Sequence, residues 1–332
     1  VPGSVDGAAT RRIVVASIAL GLLTATQASA ATLGPGTVLL TQSPKRTSAG
    51  AYSVLGQPVQ YVTVDGAALG YRVAGSGRPL VLIGGSSFTM AEWDPVLLDA
   101  LAAQRRVVIF DNRGAGTSTG SVDALTIARM ARDTAQLIEL VLGRRADVLG
   151  WSMGGYIAQE LAIRRPDLVR RLVLASTDCG GPATQGPTKR ALGILTNPAA
   201  TQAQRVSILF PRNRIGAAML WSGAIGEAYA SNGYEPRDAF TVSAETAEAQ
   251  ANAAGPLWLG EGNGTCDRLD QITHDVLLAG GQQDVVVPIA NLAALSAGLP
   301  HAQSRVHRDA GHAFLFQPGL KFARTVNSFL GM

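Results

Sequence analysis

Cysteine is scarce: Cys179 and Cys266 are the only two in 332 residues, too few for the disulfide framework that staples small exported domains. Charge is scarce as well. Only 16% of the residues are charged against 47% apolar, a composition far from that of disordered chains and one that excludes the collagen-like and coiled-coil classes. A basic block is also missing. Lys and Arg total 28 against 24 Asp and Glu, and the arginines are scattered in pairs such as Arg105-Arg106, Arg144-Arg145, Arg164-Arg165 and Arg170-Arg171. Pairs beside apolar runs read as solvated ends of elements, so nucleic acid is not an expected partner. The zinc motif H-E-x-x-H and the P-loop are absent, and Gly84-Gly85 lacks the dinucleotide fingerprint. No metal or organic cofactor is expected, and no internal repeat is present.

What is there begins with an export pattern. Arg11-Arg12 precedes an uncharged run from Ile13 to Gln27, and Ala28-Ser29-Ala30 follows with small residues. The run is about 15 residues, short of the roughly 20 that span a bilayer. Residues 1–30 are therefore expected to be a signal peptide cleaved after Ala30. The mature protein is expected outside the cytoplasm, without a stable membrane span, and both the twin-arginine and the general route fit the two arginines. In an oxidising compartment the two cysteines are compatible with one disulfide or with two separate buried thiols.

Residues 31–57 are rich in Gly, Pro, Ser and Thr without sustained periodicity and read as a loosely attached arm. Val59–Val64 and Ala67–Val73 about Asp65-Gly66 read as a β-hairpin. Short apolar runs follow at Leu80–Ile83, Arg106–Phe110, Ala146–Leu149, Arg171–Ala175, Val276–Ala279 and Ser304–Val306. Helical patterns lie between and after them, at Glu92–Ala103, Ala124–Leu142, Met153–Arg165, Ile289–Gly298 and Pro318–Leu330. This alternation implies an α/β fold, a mostly parallel sheet covered by helices on both faces. It breaks once. Residues 184–264 offer helical fragments split by prolines and no convincing core strand. Such an insertion is too long for an ordinary loop and reads as a lid or binding element.

Gly150-Trp151-Ser152-Met153-Gly154 fits G-x-S-x-G and stands where a strand hands over to a helix, as a strand–nucleophile–helix turn requires. Both glycines have a physical task, because a side chain two residues either side of Ser152 would collide with neighbouring backbone. A serine hydroxyl is a poor nucleophile until a base removes its proton, so a histidine held by a carboxylate is required later in the chain. His274, His301 and His307 have easy structural readings. His312 differs, lying in Gly311-His312-Ala313 just past the last strand pattern. The carboxylate is expected to be Asp284, after the preceding strand, with Asp178 as its rival and Asp111 as a turn-fixing residue. Acyl transfer also needs two N–H donors for the oxyanion. Met153 N–H is one, and Ser86 in the loop Gly84-Gly85-Ser86-Ser87-Phe88 is expected to supply the other.

From about residue 58 onward these motifs together resemble the α/β-hydrolase fold family, in its cap-bearing, lipase/esterase-like branch. The resemblance rests on Asp111-Asn112-Arg113-Gly114-Ala115-Gly116-Thr117-Ser118, Gly150–Gly155, Asp284 and Gly311-His312, in that order. One departure is visible, since the family often carries His-Gly where this chain has Gly84-Gly85. The resemblance implies a core of residues 58–183 and 265–332, and a helical cap, 184–264, between strands six and seven. The stripe Ile208, Leu209, Phe210, Met219, Leu220 and Trp221 then either roofs the acyl pocket or packs the cap's own core. Cys179 and Cys266 stand at the cap's two junctions, which suggests a disulfide closing it. The implied activity is exported serine hydrolysis of a carboxylic ester through an acyl-enzyme, on a small apolar acyl substrate. The same triad also serves lactones, thioesters, amides, carbon–carbon bonds and perhydrolysis, and a non-catalytic binding protein could keep the fold. A serine at the turn argues against haloalkane dehalogenase and epoxide hydrolase chemistry.

Overall fold

The computed structural model describes Val38, Leu39 and residues 54–182, 184–197, 199–232, 240–260, 264–317 and 319–331. The expected signal segment 1–30 and most of the expected arm lie outside the described residues. Among the described residues nine strands form one sheet: β1 (Val38–Leu39), β2 (Gln60–Val64), β3 (Ala67–Ala74), β4 (Arg78–Ile83), β5 (Arg105–Phe110), β6 (Ala146–Trp151), β7 (Val169–Ala175), β8 (Asp275–Gly281) and β9 (Ala302–His307). Their order is β1-β2-β3-β5-β4-β6-β7-β8-β9. The first three strands meander antiparallel and β3 pairs antiparallel with β5, after which every pairing is parallel. The short β1 precedes the hairpin, so the strands expected as six and seven are β7 and β8. The hairpin turns on Asp65 and Gly66, both at positive φ, as a two-residue turn matched to strand twist requires.

The parallel strands read as continuous apolar runs because both faces are covered. Alternation sorts their side chains. Val81, Ile83, Val108, Val148, Leu172, Leu174, Val276 and Leu278 pack into one core with helices α2 (Ile127–Leu137), α3 (Met153–Arg164) and α8 (Asn291–Gly298). Leu80, Leu82, Val107, Ile109, Leu149, Val173, Leu277 and Ala279 pack into the other with α1 (Pro95–Ala102) and α9 (Gly319–Leu330). Two helical patterns are interrupted for identifiable reasons. Glu92–Ala103 divides into a single turn, Met90–Glu92, and α1, because Asp94 caps a new helix whose first residue is Pro95. Ala124–Leu142 becomes α2 followed by one wide turn, Ile138–Leu142, stopped by Gly143 at φ 62°.

Four further helices lie between β7 and β8: α4 (Lys189–Leu195), α5 (Gln202–Leu209), α6 (Ile215–Asn232) and α7 (Ala244–Asn252). Three are short and start on side-chain caps at Thr188, Thr201 and Ser243, which offsets orphan N–H groups in helices too short to persist alone. Cys179 and Cys266 are bonded across the base of this segment, with Cα atoms 4.8 Å apart. The end of the arm departs from expectation. Val54 and Leu55 are buried, Val54 N–H donates to Asp99 at 3.1 Å, and Arg72 donates to the carbonyls of Leu55 and Gln57. Residues 54–57 are therefore part of the core. Among the described residues no helix is long and apolar enough to cross a membrane.

Candidate active site

Ser152 sits in the one-residue step between β6 and α3, at φ 56° and ψ −125°. A non-glycine residue there carries strain on the order of 1–3 kcal/mol, which its surroundings must hold in place. They do so with three bonds: Ser152 N–H donates to Ala175 O at 2.9 Å, and Ser152 O accepts from Gly155 N–H at 2.8 Å and Thr177 Oγ1 at 2.9 Å. The flanking glycines are required as expected. A Cβ on Gly150 would overlap the Gly154 backbone, and one on Gly154 would overlap the carbonyl of Ile83 in β4.

Loops after β8 and β9 bring the other two predicted residues to Ser152. His312 Nε2 is 3.0 Å from Ser152 Oγ, and His312 Nδ1 is 2.8 Å from Asp284 Oδ2. Asp284 spends its other oxygen on Val286 and Val287 N–H, at 2.9 and 2.8 Å. Its carboxylate is thereby fixed in plane, with one oxygen left for the imidazole. His312 and Asp284 are both buried, so their interaction is little screened by water. The histidine loop is pinned from two sides: Trp151 Nε1 donates to His312 O at 3.1 Å, and Ala313 N–H donates to Leu209 O, at the end of α5, at 3.0 Å.

The rival carboxylate is placed elsewhere. Asp178 accepts from Tyr156 Oη at 2.8 Å, Trp258 Nε1 at 3.0 Å and Gly180 N–H at 2.8 Å, so its oxygens are consumed in fixing the base of the cap. Asp111 is the turn-fixing residue the sequence suggests. It accepts from Met90 N–H at 2.6 Å and from Thr117 N–H and Oγ1 at 2.8 Å each, tying the loop after β4 to the loop after β5. Burial pushes its carboxyl up to about 6, against the pull of those hydrogen bonds. Among the other histidines, His274 Nε2 meets Pro166 O at 3.2 Å, His307 lies against the Phe314 and Phe322 rings, and His301 is exposed.

Met153, expected to supply one oxyanion donor, is the first residue of α3 and follows Ser152 directly. The Ser86 loop is packed against Ser152, since a Cβ on Gly85 would stand 3.2 Å from Ser152 Cβ. Sequence reasoning missed two residues that hold this loop. Ser87 N–H donates to Gln250 Oε1, on α7, at 2.7 Å. Glu92 is wholly buried, and its Oε2 accepts from Thr89 N–H at 2.8 Å. A glutamine in the Ala-rich run 244–254 carried no local signal for such a contact. The apolar stripe divides: Ile208, Leu209, Phe210 and Trp221 are buried, whereas Met219 and Leu220 are 72% and 77% exposed, Leu220 at the edge of a cavity it lines with Ala217, Trp221 and Phe316. Among the described residues no cluster of three or more His, Cys, Asp or Glu side chains is placed to hold a metal ion.

Residues 78–318 match the alpha/beta hydrolase fold family. The chain is 28% identical over 270 residues to the 2-hydroxymuconate semialdehyde hydrolase of Pseudomonas sp. (strain CF600), covering 77% of this chain and 88% of that protein. Among solved structures, an alpha/beta hydrolase fold protein from Chitinophaga pinensis superposes with a TM-score of 0.68 at 26% identity, over 82% of this chain and 97% of that one. A hydrolase from Pseudomonas aeruginosa gives 0.67 at 25% identity, over 82% and 98%.

Proposed function

Because this chain belongs to the alpha/beta hydrolase fold family, we propose that it is an exported serine hydrolase that cleaves a carboxylic ester through an acyl-enzyme. The observation that carries the reading is the unbroken hydrogen-bonded line from Asp284 through His312 to Ser152. In this reading His312 Nε2 takes the hydroxyl proton as Ser152 Oγ attacks the ester carbonyl. Asp284 keeps Nδ1 protonated, which leaves Nε2 as the base, and stabilises the imidazolium that forms. The N–H groups of Met153 and Ser86 receive the oxyanion, His312 returns the proton to the leaving alcohol, and water then releases the acid by the same steps. Export is supported by the bond between Cys179 and Cys266, which suits an oxidising compartment. An acyl group of mainly apolar character suits the aromatic cluster of Phe88, Trp151 and Phe316 behind the histidine loop.

The test is covalent labelling with a fluorophosphonate, read by mass spectrometry, beside turnover of p-nitrophenyl esters of rising acyl length. One label is expected, on Ser152, and none on Ser152→Ala. Asp284→Asn keeps the oxygen that Val286 and Val287 need but presents N–H to Nδ1, favouring the wrong tautomer, and should lose about 10⁴ in kcat. Folded protein with neither label nor turnover would overturn the assignment.

A further inference from the structure

We propose that the cavity between α6, the end of β9 and the start of α9 binds a single anionic amphiphile, in its simplest form a long-chain carboxylate, at a site separate from the catalytic one. The cavity is open to solvent and has a volume of about 960 Å³, and neither Ser152, Asp284 nor His312 lines it. That volume is at the upper end of the ordinary range for small-molecule sites. Its apolar walls are Val96, Leu220, Trp221, Val306 and Phe316. Leu220, Val306 and Val96 are 77%, 46% and 42% exposed, so a ligand can reach them. Ile215, Met219 and Leu320 are also exposed, and each adjoins a lining residue in the chain. Six of the nine exposed large apolar side chains among the described residues therefore line this one cavity or adjoin a residue that does. Single exposed apolar side chains are ordinary on a protein surface, whereas their concentration around a concavity marks a binding face.

The charges on the cavity choose its occupant. Asp309 is paired with Arg214 at 3.4 Å, and Asp94 spends Oδ1 on the Val96 and Leu97 N–H groups at 2.7 and 3.3 Å. Arg308 and Lys321 line the same cavity and are exposed, and neither side chain is in an ion pair among the described residues. Counting Arg214, Arg308 and Lys321 against Asp94 and Asp309 leaves the cavity one net positive charge. His307, also on its wall, adds none near pH 7, because burial and the Lys321 charge hold its ring below the usual histidine range. The matching occupant has an anionic head for Arg308 and Lys321. Its apolar chain covers Leu220, Val306 and the edges of the Trp221 and Phe316 rings, which stack at 5.2 Å. A plain anion would leave those walls wet, and a neutral chain would leave the two cations uncompensated.

Nothing in this site depends on Ser152 acting as a nucleophile, so its test is one of binding. Calorimetric titration of the intact protein with decanoate, kept well below the concentration at which it forms micelles, reads it directly. Arg308→Ser combined with Lys321→Ser is expected to weaken binding about 10-fold, the scale of two exposed ion pairs. Leu220→Asp is expected to weaken it about 10-fold as well, through the lost apolar wall. All three positions are exposed, so the variants should fold, which circular dichroism checks. Butyrate lacks the chain and decyltrimethylammonium the anionic head, and each should bind about 10-fold more weakly than decanoate. Decanoate binding that the substitutions leave unchanged places the ligand elsewhere and overturns the proposal, as does wild-type protein that binds none. Loss on the double variant alone reassigns the cavity to a plain anion, and loss on Leu220→Asp alone overturns the anionic head. Flotation with phosphatidylglycerol vesicles that carries the wild-type protein but not Leu220→Asp, where monomeric decanoate does not bind, assigns the face to a lipid surface instead.

Discussion

Glu92 is a wholly buried carboxyl whose folded state favours the proton. Burial pushes it up to about 8, the nearby Asp111 charge adds to this, and the two bonds from Thr89 pull it back only in part. Its folded value lies above its unfolded value, so its contribution to stability is complete below the ordinary glutamate range and is lost as pH rises through about 8. Glu92→Gln keeps an acceptor for Thr89 N–H and does not titrate. Urea midpoints at pH 5.5, 7 and 9 should therefore fall less steeply for the variant, leaving it the more stable protein at pH 9 by about 3 kcal/mol. A smaller slope between about 4 and 6 should persist in both, because Asp111 is raised in the same direction, to about 6. Parallel curves for the two proteins would show that Glu92 is ionised throughout. At this scale the hydrogen-bonded line of Ser152, His312 and Asp284 was readable, because each of the three follows an apolar run. Glu92 and Gln250 were not readable. Their partners lie in space, and a polar residue buried by another element looks in sequence like any solvated one.

Gly154 decides how closely α3 approaches β4. A methyl group there would meet the Ile83 carbonyl, which belongs to the backbone and has nowhere to go. Gly154→Ala should cost about 1–3 kcal/mol through overpacking. It should also slow fluorophosphonate labelling, because the helix start that carries Met153 N–H must shift. Gly193, in α4, is exposed with nothing within 4 Å of the same added atom. There the sign reverses, and Gly193→Ala should gain about 0.5–1 kcal/mol by restricting the unfolded chain. Chemical denaturation of the pair checks both directions, and equal effects would refute the close-approach argument. Elements as a class were legible from periodicity: the hairpin, the parallel runs and the helical insertion all appear where the pattern changes. Their ends were less legible. The break at Asp94-Pro95 is local chemistry that the apolar pattern of Glu92–Ala103 masks. The burial of Val54 and Leu55 depends on Arg72 and Asp99, distant in sequence, which no local pattern displays.

For the molecule as a whole, the cap is held to the sheet in two independent ways. At its base the Cys179–Cys266 bond spans a separation of 87 residues. Thr265 N–H reinforces the junction by donating to Cys179 O at 2.6 Å, and Thr265 Oγ1 by donating to Gln159 on α3 at 2.6 Å. On the segment after β4, α6 and α7 are fastened without the disulfide: Trp221 Nε1 donates to Glu92 O at 3.0 Å, Tyr229 Oη to Ala91 O at 3.3 Å, and Gln250 receives Ser87 N–H. The disulfide therefore acts mainly on the unfolded chain, where closing a loop of this length is worth roughly 4–5 kcal/mol at most on the chain-entropy model. Replacing both cysteines with alanine, or reducing the bond, should lower the melting temperature by about 2–4 °C per kcal/mol lost. It should leave kcat at 25 °C within about threefold, because the contacts of α6 and α7 with the segment after β4 persist in the folded state. Melting curves and ester turnover, measured on the same samples with and without reductant, separate the two effects. A fall in kcat that tracks the fall in stability would mean that the bond orients the cap in the native protein, and that the fastenings on α6 and α7 do not suffice to hold it.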